Sequence, residues 1–384
     1  MTLRLLGVAP GDPFDVGTFS GISAGLLGAL RDRGVLAAAV DGRPGWVQRA
    51  ELAASFDRDR RRWRQWYYAG ASPLGPQARE LTSRIAARRA AAAARASGAD
   101  AVLQLTGWYR PDVAGLPRAS FHDGNLAATL RRPELLIDRD ARRVRRALEW
   151  ERRLYDSTHV IFTMSEWLRG IFVEDFGQPP EKVVVAGAGT DLALPPRELP
   201  ERDRARPRVL FVGREWERKG GPELLRAWPA VRAARPGAEL VIVGPAAPPR
   251  SLPAGVRFAG RIDRSTPQGA QAFAAEYRRA TAFVLPSLFE PFGIVLLEAM
   301  AYSLPCVAGT RCAMPEIVAD GETGRLADVG DPDALAAALV EVTDPERGAS
   351  MGAAGRRRLE ERFTWDAVAA RIVGELDARL WAGA

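Results

Sequence analysis

Short apolar runs alternate along the chain with longer stretches in which apolar residues recur every three or four positions. An unbroken run suits a strand covered on both faces, and the longer recurrence suits a helix lying against it. In the first half the runs predict strands over 3–8, 35–40, 101–105, 117–121, 159–164 and 182–187. In the second half they predict strands over 208–213, 239–244, 256–260, 282–287 and 305–309. Between the two sets, 192–207 reads LALPPRELPERDRARP, rich in proline and charge, which predicts a linker. Strand and helix alternating from end to end predict an α/β protein with parallel sheets.

At 384 residues the chain has room for about two domains. The expected architecture is two Rossmann-like domains whose sheets face a central cleft, 1–191 and 208–364. A final helix over 365–384, with Ala367, Val368, Ile372, Val373 and Leu376 on its apolar side, is expected to pack back onto the first domain. No uncharged apolar run reaches eighteen residues, and the apolar part of MTLRLLGVAP is too short for a secretory signal. A soluble cytoplasmic protein is the expectation. Cys306 and Cys312 are the only cysteines and His122 and His159 the only histidines, too few and too far apart for a zinc cluster, so no metal is expected.

The net charge is +7, with 29 basic against 23 acidic residues up to position 200 and near balance after it. That surplus suits phosphate groups or an anionic membrane surface and falls short of a nucleic-acid-binding stripe. Around 58–68, RDRRRWRQWYY sets Trp63, Trp66 and Tyr67 at helical spacing among arginines; it reads as an aromatic face packed inward or as an acceptor or membrane-surface contact. Only Lys182 and Lys219 are lysines, the remaining basic residues being arginine.

Open parallel sheets bind ligands beyond the carboxyl ends of their strands. One such loop is FVGREWERKGG (211–221), where Arg214 and Lys219 could together neutralise a diphosphate. It lacks the order of a P-loop. A second is AFVLPSLFEPFGIVLLEAM (282–300), which predicts a helix from about Phe292 to Tyr302 with Pro291 at its start and Glu290 at its mouth. Phe292, Gly293 and Ile294 would offer free N–H groups there, and Glu298 would stand roughly 12 Å further along. Glu290 as a cap and Glu298 as a solvated helix residue is the bland alternative. GDPFDVGTFSGISAG (11–25) places Gly17 and Gly21 before a helix carrying Ile22, Leu26, Leu27 and Leu30. SFHDGNLA (120–127) places His122 and Asp123 at a strand end. His159 reads as structural. The Gly187-Ala188-Gly189 run suggests a dinucleotide motif, but its third glycine is missing. Trp108 and Tyr109 form either a sugar-stacking wall or core.

The segments 211–228, 282–308 and 316–339, in that order and spacing, resemble the C-terminal domain of retaining nucleotide-sugar glycosyltransferases of family four, which have the GT-B fold. The resemblance implies a sugar transferred from a nucleoside diphosphate donor to a hydroxyl of a glycan, lipid or small-molecule acceptor, with no cofactor and no metal. It implies that Glu290 faces the donor sugar, that Arg214 and Lys219 hold the diphosphate, and that Glu298 holds the ribose. Phe292, Gly293, Ile294 and Gly17 would lie near sugar and phosphate, and Gly244 and the Gly260–Ile262 segment with Arg261 near the base. His122 would bond the transferred sugar, and Asp123 would orient the imidazole or meet the acceptor. A nucleotide-sugar epimerase or phosphorylase on this architecture and a binding scaffold without turnover are the rival readings. The GTRCAMPE segment at 309–316 departs from the family's usual Gly-Gly.

Overall fold

The structure is a computed structural model that describes residues 3–54, 56, 58, 63, 75–132, 142–190, 194–196, 202–203, 205–248 and 251–381. The chain divides into two compact units, Met1–Asp191 with Thr364–Ala384, and Leu192–Phe363.

In the first unit, β1 (Leu5–Ala9), β2 (Leu36–Asp41), β3 (Ala101–Leu105), β4 (Arg118–His122), β5 (Val160–Thr163) and β6 (Val183–Val185) form one sheet in the order β2-β1-β3-β4-β5-β6. Every ladder is parallel. β1, β3, β4 and β5 are buried at every position; β1 and β5 are correspondingly apolar, while β3 and β4 also bury Gln104, Arg118, Ser120 and His122. Helix Ile22–Asp32 buries Ile22, Leu26, Leu27 and Leu30, the face expected from sequence. Helix Trp365–Trp381 belongs to this unit and packs along Ile22–Asp32. Trp365 sets that packing: a Cβ on Gly25 would overlap its indole, and one on Gly189 would lie 2.5 Å from its backbone nitrogen. Arg33 fixes the same helix through Asp366, with bonds of 2.7 and 2.9 Å.

In the second unit, β7 (Arg208–Val212), β8 (Glu239–Val243), β9 (Val256–Gly260), β10 (Ala282–Leu285), β11 (Cys306–Gly309) and β12 (Gly324–Ala327) form a parallel sheet in the order β12-β11-β10-β7-β8-β9. Read from β9, this is the third-second-first-fourth-fifth-sixth order of a dinucleotide-type sheet, whose direction of winding reverses between β7 and β10. Leu224, Trp228 and Val231 of helix Gly221–Ala234 and Leu335 and Leu339 of helix Pro332–Val342 cover Val209, Phe211, Leu240 and Ile242 on one face. β12 was not expected from sequence. Its GRLA segment, an edge strand paired only with β11, holds Arg325 between Gly324 and Leu326 and carries no apolar run.

Candidate functional site

The reversal between β7 and β10 opens the crevice where such sheets bind ligands, and the loops 213–220 and 286–293 leave the sheet there. Three glycines bring these strand ends together. Gly213 has no side chain because the Lys219 stem lies over it, with the Lys219 Cε 3.2 Å from where a Cβ would stand. Gly244, at φ +118, would place a Cβ 2.6 Å from the Gly213 carbonyl oxygen. Gly220, at φ +74, faces the Pro286 carbonyl too closely for any side chain.

The result is a fixed cation–carboxylate pair. Lys219 Nζ donates to Glu290 Oε2 at 2.9 Å, Arg218 Nη1 stands 3.5 Å from the same oxygen, and the Ser287 hydroxyl donates to it at 3.4 Å. Arg218 also donates to the Phe289 carbonyl, and the Leu288 N–H to the Arg218 carbonyl, so the two loops are tied through backbone as well. Burial works to raise the Glu290 pKa, but Lys219 and Arg218 outweigh it and hold the carboxyl below its ordinary range. Glu290 is thus an ionised group with 12% of its side chain exposed, more than a helix cap.

The helix after it differs from expectation. It begins at Ile294 behind Gly293, whose φ of +106 cannot belong to a first helical turn, and it ends at Ala301. Pro291 and Phe292 therefore precede the helix, Phe292 is buried with its ring 6.3 Å from that of Phe363, and the free N–H groups of the first turn begin at Ile294. Glu298 is 2% exposed rather than solvated. One of its oxygens accepts from the Tyr277 hydroxyl at 2.7 Å and the other from Arg264 at 3.0 Å. Burial raises its pKa, opposed by Arg264, Tyr277 and Lys219. Arg214 and Arg261 are exposed at the ends of β7 and β9, and both act on Asp263, whose carboxyl is held low first by the Ser265 hydroxyl and N–H and then by these arginines. Sequence reasoning missed Arg218, Arg264, Tyr277 and Ser287. Arg264 and Tyr277 stand 34 and 21 residues from Glu298, so no local spacing marks them.

In the first unit Gly17 does not have the conformation that would need glycine: its φ is −79, and its N–H is taken by Asp15 at 3.0 Å. The left-handed backbone lies instead at Phe19, Ser20 and Gly21, with φ of 52, 57 and 85. Thr106, at the end of β3, is left-handed at φ 74 although β-branched, and its hydroxyl is buried without a partner. His122 is fully buried, its Nε2 2.8 Å from the Ser120 hydroxyl and its Nδ1 unpartnered, packed against the rings of Tyr155 and Phe172, which also touch each other. Asp123 makes no bond to it, so the imidazole is oriented by Ser120 and ring packing and not by the neighbouring carboxylate. Desolvation, then Arg118, lowers the His122 pKa to about 3; desolvation raises that of Asp123 to about 6, against hydrogen bonds from backbone N–H groups of Asp123 and Gly124.

These two shifts give opposite pH dependences. The unfolded imidazole takes up a proton near pH 6.5 and the folded one only near 3, so the His122 contribution to stability falls as pH drops through that window. Asp123 titrates near 6 when folded and near 3.8 when unfolded, so its penalty is absent below 3.8 and complete above 6. Asp123→Asn is expected to raise stability at pH 7.5 by about 1–2 kcal/mol and to change nothing at pH 3.5. His122→Gln is expected to flatten the acid limb of the melting curve. Thermal melts across pH 3.5–7.5 check both, and an Asp123→Asn variant less stable than wild type at pH 7.5 overturns the burial argument.

Other expectations resolve simply. His159 accepts from the Arg118 N–H at 3.2 Å and is structural. Tyr109 is fully buried and donates to the Val8 carbonyl at 3.0 Å, and Arg43 lies over the Trp108 ring at 3.8 Å, so this pair packs within the unit. Gly187 has a φ of +81, and Gly189 makes room for Trp365, so neither forms a dinucleotide loop. Of the aromatic stretch, Trp63 donates to the Leu52 carbonyl at 3.0 Å, while Trp66 and Tyr67 lie outside the described residues. Among the described residues no helix is long and apolar enough to cross a membrane, and no cluster of His, Cys, Asp or Glu is arranged to hold a metal.

Comparison with known proteins gives this geometry its setting. Residues 206–344 match the family model described as Glycosyl transferases group 1. A GDP-mannose-dependent alpha-(1-6)-phosphatidylinositol monomannoside mannosyltransferase of Mycobacterium tuberculosis is 33% identical over 239 residues, covering 58% of this chain and 62% of that protein. The chain thus spans less than two thirds of that relative's length. Glycogen synthase of the same species is 32% identical over 289 residues, covering 68% of this chain and 67% of that protein. Sucrose-phosphate synthase of Thermosynechococcus elongatus has the same fold, with a TM-score of 0.67 at 21% identity over 99% of this chain and 100% of that one. WaaG, a glycosyltransferase involved in lipopolysaccharide biosynthesis, also shares it, with a TM-score of 0.60 at 15% identity over 96% and 98%. With this likeness and the two Rossmann-like sheets, the chain has the GT-B fold and belongs to the family of glycosyl transferases group 1.

Proposed function

We propose that the protein transfers a sugar from a nucleoside diphosphate donor to a hydroxyl of a glycan, lipid or small-molecule acceptor, with retention of anomeric configuration. The observation that carries this reading is the Lys219–Glu290 pair at the switch point, held by the glycine-packed strand ends. A leaving diphosphate develops negative charge, and Lys219, Arg218 and Arg214 supply preorganised positive charge beside the one carboxylate that would face the sugar. These charges would let that step proceed without a metal. Glu298 would receive the ribose, the Gly244 and Arg261 segments the base, and the backbone of Phe292, Gly293 and Ile294 the sugar and phosphate.

On the first unit, His122, neutral above about pH 3, would offer its unpartnered Nδ1 to the transferred sugar. Asp123, titrating at about 6, is suited to take a proton from an acceptor hydroxyl near neutrality. The relative named for phosphatidylinositol monomannoside acts on a lipid-borne sugar. The arginine surplus of residues 1–200, with Trp46 53% exposed, suits an acceptor of that kind at an anionic surface.

The test begins with thermal melting against UDP, GDP and ADP and their sugars, with and without magnesium. A ligand at a hundred times its dissociation constant stabilises by about 2.7 kcal/mol. One nucleotide is expected to raise the melting temperature without magnesium. That donor is then supplied with acceptors free in solution and on anionic vesicles, and the anomeric proton of the product is read by NMR. An inverted product, or no shift with any nucleotide, overturns the proposal.

A further inference from the structure

Glu298 is supported from two sides by groups of different character. Tyr277 lies beneath it, fully buried and stacked between Phe283 and Tyr302 at centroid distances of 6.0 and 5.3 Å, so its hydroxyl is a fixed donor. Arg264 comes from the loop after β9, with 42% of its side chain exposed and its guanidinium 4.6 Å from the Phe273 ring centroid. Among the described residues it is the hydrogen-bonded counter-charge of Glu298; Lys219 also acts on the carboxyl but is bonded to Glu290.

Each carboxylate oxygen has two acceptor directions. Tyr277 and Arg264 occupy one on each oxygen, which leaves one on each for two further donors. Two adjacent hydroxyls match that pattern, provided the carboxyl is ionised and cannot turn. We propose that Arg264 is a positioning residue for nucleotide recognition, holding the Glu298 carboxylate so that its two remaining acceptor directions meet the vicinal diol of a ribose. This rests on the reading above that Glu298 receives the ribose.

The groups facing Glu298 are Arg264 from the loop after β9, Tyr277 from helix Pro267–Arg279 and Lys219 from the loop after β7, with the buried Cys306 thiol of β11 beside Tyr277. Burial raises the Cys306 thiol far out of the neutral range, and burial and Glu298 do the same for the Tyr277 phenol, so Glu298, already raised by burial and opposed first by Arg264, is the group among them whose ionisation the loss of Arg264 would weaken.

The experiment is calorimetric titration of UDP, GDP and ADP, and of their 2′,3′-dideoxy counterparts, into wild type, Arg264→Ala and Arg264→Lys between pH 5.5 and 8.5. For the nucleotide that binds, wild type is expected to prefer the ribose form by about tenfold or more across the range. Arg264→Ala is expected to lose that preference to within about threefold at the acid end of the range and to recover part of it as pH rises. Arg264→Lys is expected to keep it. Dideoxynucleotide affinity should be equal in all three, since the phosphate grip is untouched. An Arg264→Ala protein that keeps its preference at every pH overturns the assignment, as does one whose dideoxynucleotide affinity falls in parallel. Wild type with no preference removes the ribose from Glu298 and the assignment with it, a failure seen in the unmodified protein alone.

Discussion

Replacing Lys219 by alanine is expected to lower turnover by about 10²–10³-fold, with the protein still folded. Lys219 Nζ is 2.9 Å from Glu290 Oε2, and its stem is laid over Gly213 with about a tenth of the side chain exposed. A cation so held pays little reorganisation when a diphosphate arrives, and an oriented charge of this kind acts chiefly where charge develops in the transition state. Removal also leaves Glu290 with Arg218 at 3.5 Å as its nearest cation, so its pKa rises toward the value burial alone would give. The acid limb of the rate profile, which in wild type follows Asp123 near 6, is therefore expected to move to higher pH in Lys219→Ala. Glu290→Gln separates the two effects: it keeps the cations and the shape and removes the carboxylate. Steady-state kinetics of both variants from pH 5.5 to 8.5, with circular dichroism as the folding control, check this. Two variants with turnover near wild type would remove the pair from the reaction.

Gly220→Ala is expected to be the most damaging single-methyl change in the second unit, costing about 3–5 kcal/mol. The residue is left-handed at φ +74, which alone costs an alanine about 1 kcal/mol, and its new Cβ would overlap the Pro286 carbonyl oxygen. No rotamer change relieves a clash between two backbones. Gly220 also precedes helix Gly221–Ala234, whose Leu224, Trp228 and Val231 belong to the core, so strain there is passed into packing. Gly28→Ala is the matched control: it lies within helix Ile22–Asp32 with nothing within 4 Å of a new Cβ, and should stabilise by about 0.5–1 kcal/mol. Urea denaturation followed by tryptophan fluorescence measures both. A Gly220→Ala midpoint close to wild type would mean the two loops are not packed as described.

Much of the fold was legible in the chain because parallel strands covered on both faces are mostly apolar. AVLQL in β3 and ELVIV in β8 could be placed by reading alone, while GRLA of β12 could not, since four residues interrupted by Arg325 make no apolar run. The loops at the strand ends were legible for a related reason: glycine and proline end the apolar runs, and the charged residues that follow, Arg214, Lys219 and Glu290, stand out against them. The glycines of 11–25 do not show in sequence which residue of the loop takes the left-handed conformation; Phe19, Ser20 and Gly21 take it, and Gly17 does not. The helix start was misplaced because Pro291 signals a first turn only if the next backbone is right-handed, and Gly293 is not.

Most strands, the two Rossmann-like halves and the charged loops that end their strands can be read from residue order, since each follows from short-range periodicity and from the chain's own breaks. Only the tertiary structure decided that Lys219 pairs with Glu290, that Arg264 and Tyr277 support Glu298, that Ser120 holds His122, and that Trp365 is the reason for Gly25 and Gly189. Those partners are mostly tens or hundreds of residues apart in sequence. What sets a carboxylate's ionisation or a glycine's necessity is the distance and burial of its neighbours in space, and local residue patterns do not encode either.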